Sequence, residues 1–195
     1  RRSGGPHATL GMPPRRWRDG GAHECTHFAV ADCALGALLV AATERGLCAV
    51  ALGDDPDALV RDLQDRFPKA DLRGGDAGFE RLVAQVAGAV ERPATAAALP
   101  VDLRGTAFQQ RVWQALRDIP PGETRSYAQV AEARGVRGAA RAGAAACAAN
   151  PVALAVPCHR VVRHDGALSG YRWGVARKRH LLDQERSDGA AKDGA

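Results

Sequence analysis

The chain has 195 residues, 46% hydrophobic and 25% charged, which is enough apolar material for one domain or two small ones. No run approaches the roughly 18 apolar residues of a membrane span, and the Arg-rich start lacks the apolar centre of a signal peptide, so a soluble, cytoplasmic protein is expected. The net charge of +5 is uneven: residues 101–195 carry 15 Lys and Arg against 9 Asp and Glu, whereas residues 1–100 carry 12 against 13, so the basic half fits either a polyanionic partner such as nucleic acid or a solvated arginine-rich face.

Residues 1–24 are rich in Gly, Pro and Arg without a sustained apolar period and read as a tail or linker. Short β-like runs follow at 28–30, 38–41 and 47–52, with Glu44-Arg45-Gly46 as a hairpin turn, predicting a small antiparallel sheet. Asp55-Pro56 supplies an N-cap and a proline at the first helical position, and Leu59, Val60, Leu63 and Phe67 recur at helical spacing until Pro68. A second helix carries Phe79, Leu82, Val83, Val86 and Val90 and stops before Pro93. This α+β unit spans 25–98, closing on a Pro/Ala/Thr-rich linker at 93–98, with a short strand expected near 99–103.

The second unit, 99–187, reads as mostly helical, leaving 188–195 as a tail. Thr106 with Gln109 forms a capping-box pattern, and Phe108, Val112, Leu116 and Ile119 share one face before Pro120-Pro121-Gly122. Ser126 with Gln129 repeats the signature and opens a short helix, 126–134, stopped at Gly135. Residues 137–150 form an Ala- and Gly-dominated helix ended by Asn150-Pro151. Two short helices about a tight turn outline a helix-turn-helix. A last helix is expected over 174–186, with Val175, Leu181 and Leu182 apolar.

The helix over 137–150 has almost no side chains long enough to read base edges. Ala139, Ala140, Gly143 and Ala144 make a surface able to approach a phosphate backbone or a minor groove closely; equally, such a helix packs against its neighbours. Arg141, a lone long cation on this otherwise small-residue surface, either enters a base stack or pairs with a phosphate or carboxylate at the surface. Tyr127 either flanks the same nucleotide or acts as a hydrophobic staple.

The five cysteines, Cys25, Cys33, Cys48, Cys147 and Cys158, are odd in number and form no CxxC pair, so neither a disulfide framework nor a zinc ribbon is indicated. His23, Cys25 and His27 lie close together but match no standard zinc spacing, and no metal is expected. Cys158, between Pro157 and His159 after an apolar run, fits equally an activated thiol or a small buried hydrophobe. A cysteine attacks as thiolate, and neighbouring cations lower its pKa from about 8.5 to roughly 3.5–7.5.

The ordered motifs Thr106-Ala107-Phe108-Gln109, Pro121-Gly122-Glu123-Thr124, Ser126-Tyr127, Arg141, Asn150-Pro151, Pro157-Cys158-His159-Arg160-Val161 and Leu168-Ser169-Gly170-Tyr171-Arg172-Trp173-Gly174 resemble the O6-alkylguanine-DNA alkyltransferases, the methylated-DNA–protein-cysteine methyltransferases. Ala31-Asp32-Cys33, Leu35-Gly36 and Leu52-Gly53-Asp54-Asp55 resemble the carboxyl-terminal portion of the bacterial Ada-type proteins. Leu10-Gly11-Met12 to Gly21 resembles the end of an AraC-type regulatory segment. The cysteine-rich methylphosphotriester module of those proteins has no counterpart here.

The resemblance implies an α+β fold: a ribonuclease H-like unit with a small antiparallel sheet, followed by a winged helix-turn-helix-like unit. It implies Cys158 as alkyl acceptor, His159 as a base acting through water, and Glu185 as the carboxylate that orients the histidine. Asn150 would fix the turn before Cys158, Tyr127 would donate toward the leaving guanine, and Arg141 would hold the gap in the duplex. Val156, Pro157, Ser169, Tyr171, Arg172 and Trp173 would line or close the substrate pocket. Trp173 departs from the glycine of mammalian members, so a tight pocket that disfavours bulky alkyl groups is expected.

The expected reaction is direct repair: a monomer binds double-stranded DNA, flips O6-methylguanine out of the stack and takes its methyl group onto Cys158 once, without a cofactor. O4-methylthymine is a further candidate substrate. Two other classes stay in play on the residues alone. One is a DNA-binding regulatory module with a structural Cys158, against which the lack of base-reading side chains over 137–150 speaks. The other is a turnover cysteine hydrolase, for which a histidine adjacent to the cysteine is atypical.

Overall fold

The computed structural model describes residues 25–133, 135, 139–168 and 170–193. Strands β1 (Cys25–Cys33), β2 (Gly36–Thr43) and β3 (Gly46–Gly53) form an antiparallel meander, and β4 (Asp71–Arg73) adds parallel to β1, giving the order β3-β2-β1-β4. The side chains of β2 alternate between two layers, as the period of a strand requires. Leu38 and Val40 join the main core with Val86 and Val90, whereas Leu39 and Ala41 pack with Leu59, Leu63 and Phe67. Because both faces are covered, β2 and β3 read as near-continuous apolar runs rather than alternating ones.

The two covering helices are α1 (Pro56–Arg66) and α2 (Ala77–Glu91). Asp55 caps α1 by accepting from Asp57 N at 3.0 Å, and Asp76 caps α2 by accepting from Phe79 N at 2.9 Å. β4 was not expected: it is three residues long and carries only Leu72 as an apolar signal. The stretch expected as a linker, Pro93–Ala98, is a 3-10 helix that buries Pro93 and Ala96. The strand expected near 99–103 is reduced to one parallel bridge, Val101 to Leu47, made by Leu47 N to Pro100 O at 2.9 Å and Asp102 N to Leu47 O at 2.7 Å. Gly46 sits at this crossing with φ +145°, where a Cβ would lie 2.6 Å from the Pro100 carbonyl carbon; only glycine fits.

The second unit contains α3 (Ala107–Arg117), α4 (Tyr127–Glu132), α5 (Ala140–Ala148) and α6 (Val175–Asp193). Both capping boxes form, Thr106 with Gln109 and Ser126 with Gln129. α4 and α5 pack as the helix-turn-helix, and Gly135 takes φ +73° after α4. A two-residue strand β5 (Arg125–Ser126) pairs parallel with β6 (Val161–Val162). α6 runs seven residues beyond the expected end at 186, with no proline to stop it. Among the described residues no helix is long and apolar enough to cross a membrane.

The units share one core, and three links fix their relation. Val50 N donates to Pro151 O and Ala153 N donates to Val50 O, both at 3.0 Å, so the loop before Cys158 lies along β3. Arg177 of α6 donates to Leu35 O at 2.8 Å, Trp173 O at 3.0 Å and Asp54 Oδ1 at 2.6 Å. Buried Asp102 accepts from Thr43 Oγ1 at 2.6 Å and Arg104 Nη2 at 3.0 Å.

Candidate active site

The segment joining α5 to Cys158 is held by one side chain. Asn150 is fully buried; its Nδ2 donates to Val156 O at 2.8 Å and to Cys158 Sγ at 3.1 Å, while its Oδ1 accepts from Val152 N at 2.9 Å. Two γ-turns lie inside this clasp. Leu154 has φ +68°, and the Ala155 N to Ala153 O bond closes around it at 2.7 Å, an arrangement that is rare and strained for a non-glycine residue. Pro157, with φ −80° and ψ 61°, is the centre of an inverse γ-turn closed by Cys158 N to Val156 O at 2.8 Å. The proline ring sets the φ this turn needs, and the turn delivers Cys158 into a short 3-10 helix, Cys158–Arg160.

His159 and Arg160 both point to Glu185 on α6. His159 Nε2 meets Glu185 Oε1 at 2.9 Å, and Arg160 donates through Nε at 2.9 Å and Nη2 at 2.7 Å to the same oxygen. Arg160 Nη1 donates to Ile119 O at 2.7 Å, and Glu185 Oε2 accepts from Gly122 N at 3.1 Å. All three side chains are buried. Arg160 was not singled out beforehand, although an arginine ahead of Val161-Val162, in a run that must be buried, needs a carboxylate partner. His159 Nδ1 is buried and has no hydrogen-bond partner among the described residues. With Nε2–H given to the carboxylate, Nδ1 is the basic nitrogen.

A cavity of about 380 Å³ opens at Cys158, walled by Tyr127 of α4, Ala144, Cys147 and Ala148 of α5, and Gly170, Tyr171 and Arg172 of the loop before α6. The structure thus brings together Cys158, Tyr127, Ala144, Tyr171 and Arg172 from the expected set, and adds Cys147, which the alanine-rich composition of its helix had hidden. Val156 and Pro157 lie behind Cys158, buried, and do not line the cavity. Trp173 also lies outside it. Buried, it packs edge-on against Tyr171 with ring centroids 5.2 Å apart and lines a second cavity, about 140 Å³, between α1 and the sheet. Trp173 meets the walls of the first cavity only from behind, packing on Tyr171 and under the Arg172 guanidinium at 5.7 Å.

On α5, Ala140 and Arg141 are exposed and Ala139 is half-buried. Gly143 is not on that surface. It is buried, and a Cβ there would stand 3.8 Å from Tyr127 O and 3.9 Å from the Ala131 methyl group, so it faces α4 rather than solvent. Buried Trp113 of α3 pins the other side of α5 by donating from Nε1 to Ala146 O at 2.8 Å. Arg172 Nη1 donates to Asn150 O at 3.1 Å, tying the loop to the clasp. Ser169 and His23 lie outside the described residues. His27 Nδ1 donates to Gly74 O at 3.0 Å and the ring packs on Phe79.

Between the activated and the buried thiol that the sequence left open, the electrostatics favour a protonated sulfur at rest. Burial pushes the Cys158 thiol up to about 11, against which the Asn150 hydrogen bond and the Lys178 charge work only partly. Lys178, buried on α6, was also not foreseen. Burial likewise lowers the pKa of His159, outweighing the pull of Glu185. Burial would raise Glu185, but its bonds to His159 and Arg160 win and hold it at about 2. The resting site is therefore a neutral thiol, a neutral imidazole and a carboxylate paired to Arg160.

Comparison with known proteins bears directly on this arrangement. Residues 26–103 match the ribonuclease-like domain of 6-O-methylguanine DNA methyltransferase, and residues 107–187 match its DNA-binding domain. The bifunctional transcriptional activator/DNA repair enzyme Ada of Escherichia coli is 54% identical over 177 residues, 91% of this chain; the chain spans 50% of that protein's length. The inducible methylated-DNA–protein-cysteine methyltransferase of Bacillus subtilis is 37% identical over 79% of this chain and 87% of its own. The Mycobacterium tuberculosis OGT in complex with DNA superposes with a TM-score of 0.67 at 36% identity, covering 84% of this chain and 93% of that one. With both halves matched in order and the Bacillus subtilis relative matched over 87% of its length, the chain belongs to the 6-O-methylguanine DNA methyltransferase family.

Proposed function

We propose that this protein repairs duplex DNA by moving the methyl group of O6-methylguanine onto Cys158 in a single turnover. The observation that carries the reading is the acceptor sulfur, held by Asn150 at the floor of a cavity whose walls are a helix-turn-helix and a closing loop. A relative of the same fold has been solved with DNA, and the exposed Ala140 and Arg141 lie on the helix that shares the cavity wall. Units 25–98 and 99–187 are the proposed division, the first supporting the second.

The target base is stacked and paired, so it is extruded at a cost of a few kcal/mol. Arg141 fills the gap it leaves, and Ala139, Ala140 and Ala144 let the backbone approach. The Cys158 proton passes through a water to His159 Nδ1, which is basic because Nε2–H is committed to Glu185. The sulfur electron pair forms the S–CH3 bond as the bond from carbon to O6 breaks. The electrons of that bond go to the guanine, which takes a proton at a ring nitrogen with Tyr127 as donor. The product is a thioether with no good leaving group, hence one event per molecule. Tyr171, braced by Trp173, limits the room beside the sulfur and favours small alkyl groups.

The test is transfer of label from duplex DNA carrying radiolabelled O6-methylguanine to wild type and Cys158→Ala. One label per wild-type molecule and none on the variant is the expected result. Catalytic release of label, or no label on protein that still binds DNA, would overturn the proposal.

A further inference from the structure

The second cavity, on the opposite side of the Tyr171–Trp173 segment, is lined by two arginines, Arg66 of the last turn of α1 and Arg172, and by one carboxylate, Asp62. Arg66 is half-buried and makes no hydrogen bond or ion pair with any described residue. Burial and the like charge of Arg172 both disfavour its cationic form. The floor, formed by Leu39, Ala51, Leu59 and Leu63, supplies no side-chain acceptor. Two guanidiniums held at one small cavity with a single exposed carboxylate form an arrangement that an anion would complete.

Arg172 lines both cavities, so the Arg66 site adjoins the place where a base would enter. A strand that delivers an extruded nucleotide to Cys158 carries a phosphate on either side of it, and these are the anions a base would bring with it to the neighbourhood of Arg172. We propose that Arg66 and Arg172 clamp one backbone phosphate of the damaged strand, giving the ribonuclease-like unit a contact with DNA of its own. The contact is sequence-independent and serves to position the strand while the base is out of the stack. This inference rests on the repair reading above.

The test measures duplex affinity from 50 to 200 mM salt for wild type, Arg66→Gln and Arg66→Lys. Loss of one phosphate contact lowers the slope of log K against log salt by about 0.9, equivalent to roughly a 3.5-fold change over that range. Arg66→Gln is expected to lose that slope, and Arg66→Lys to keep it. Wild type is also assayed on duplexes with a single neutral methylphosphonate linkage at each position flanking the O6-methylguanine. One linkage should weaken wild type more than it weakens Arg66→Gln, in which Arg172 alone still meets the phosphate, a comparison that holds even if the variant is less stable. An unchanged slope, or equal losses for both proteins at every linkage, would overturn the clamp. Transfer from free O6-methylguanine should be the same in all three proteins; if wild type itself transfers nothing from any substrate, the repair reading fails instead.

Discussion

Replacing Glu185 by Gln isolates what the buried carboxylate does. In the native site Oε1 accepts from His159 Nε2 and from Arg160 Nε and Nη2, and Oε2 accepts from Gly122 N. A Gln amide has one acceptor oxygen. Turned toward His159 and Arg160, it sets its NH2 against the Gly122 N–H; flipped, it sets NH2 against His159 Nε2 and drives the imidazole proton to Nδ1, removing the base. In either orientation Arg160 keeps its charge in a buried site without a counter-ion, a loss of about 3–5 kcal/mol, or roughly 6–20 °C in Tm for a chain of this size. The native carboxyl is held at about 2 from an ordinary 4.5. Its stabilisation is therefore complete above pH 4.5 and lost as pH falls toward 2, about 3 kcal/mol over that window. The variant should lack this acid limb in denaturant melts and transfer methyl at least about 100-fold more slowly. A Tm within 2 °C of wild type together with a transfer rate within roughly threefold would refute the reasoning.

Asn150→Ala leaves the Val152 N–H buried without its acceptor, at about 1–3 kcal/mol, while the Val156 C=O keeps only the Cys158 N–H; denaturant melts should report the loss and quenched-flow transfer assays a slower reaction. The transfer rate should hold down through the ordinary histidine range and fall only below it, because burial keeps His159 neutral to lower pH; a pH–rate profile with its acid limb above 6.5 would contradict this. Gly143→Ala should raise stability by roughly 0.5–1 kcal/mol and leave duplex binding unchanged, since the added methyl meets only ordinary contacts at 3.8 and 3.9 Å.

Much of this molecule is legible in local chemistry. The two Ser/Thr-to-Gln capping boxes, Asp55-Pro56 and the apolar periods of α1 and α2 act within a few residues, and all appear where their spacing puts them. What was hidden depends on distant partners. β4 exists because Leu72 finds β1, and Pro93–Ala98 is ordered because the core covers Pro93 and Ala96. Cys158, His159 and Glu185 could be named from the sequence, yet the protonation of the thiol follows from burial by residues far along the chain. Gly143 belongs to the helix contact and Trp173 to the far wall of the loop because facing is decided by packing, which a motif does not carry.

β3 is the end of the four-stranded sheet, and an open strand edge is a template for pairing with other chains. Here two stretches of the second unit cover it, Pro100–Asp102 at Leu47 and Pro151–Ala153 at Val50. The acceptor loop is therefore also an edge guard. A fragment ending before residue 150 would present Val50 with its outward N–H and C=O unpaired. The ribonuclease-like half made alone should be prone to strand-to-strand aggregation, and the loop that carries Cys158 is part of what keeps its own support from pairing with other chains.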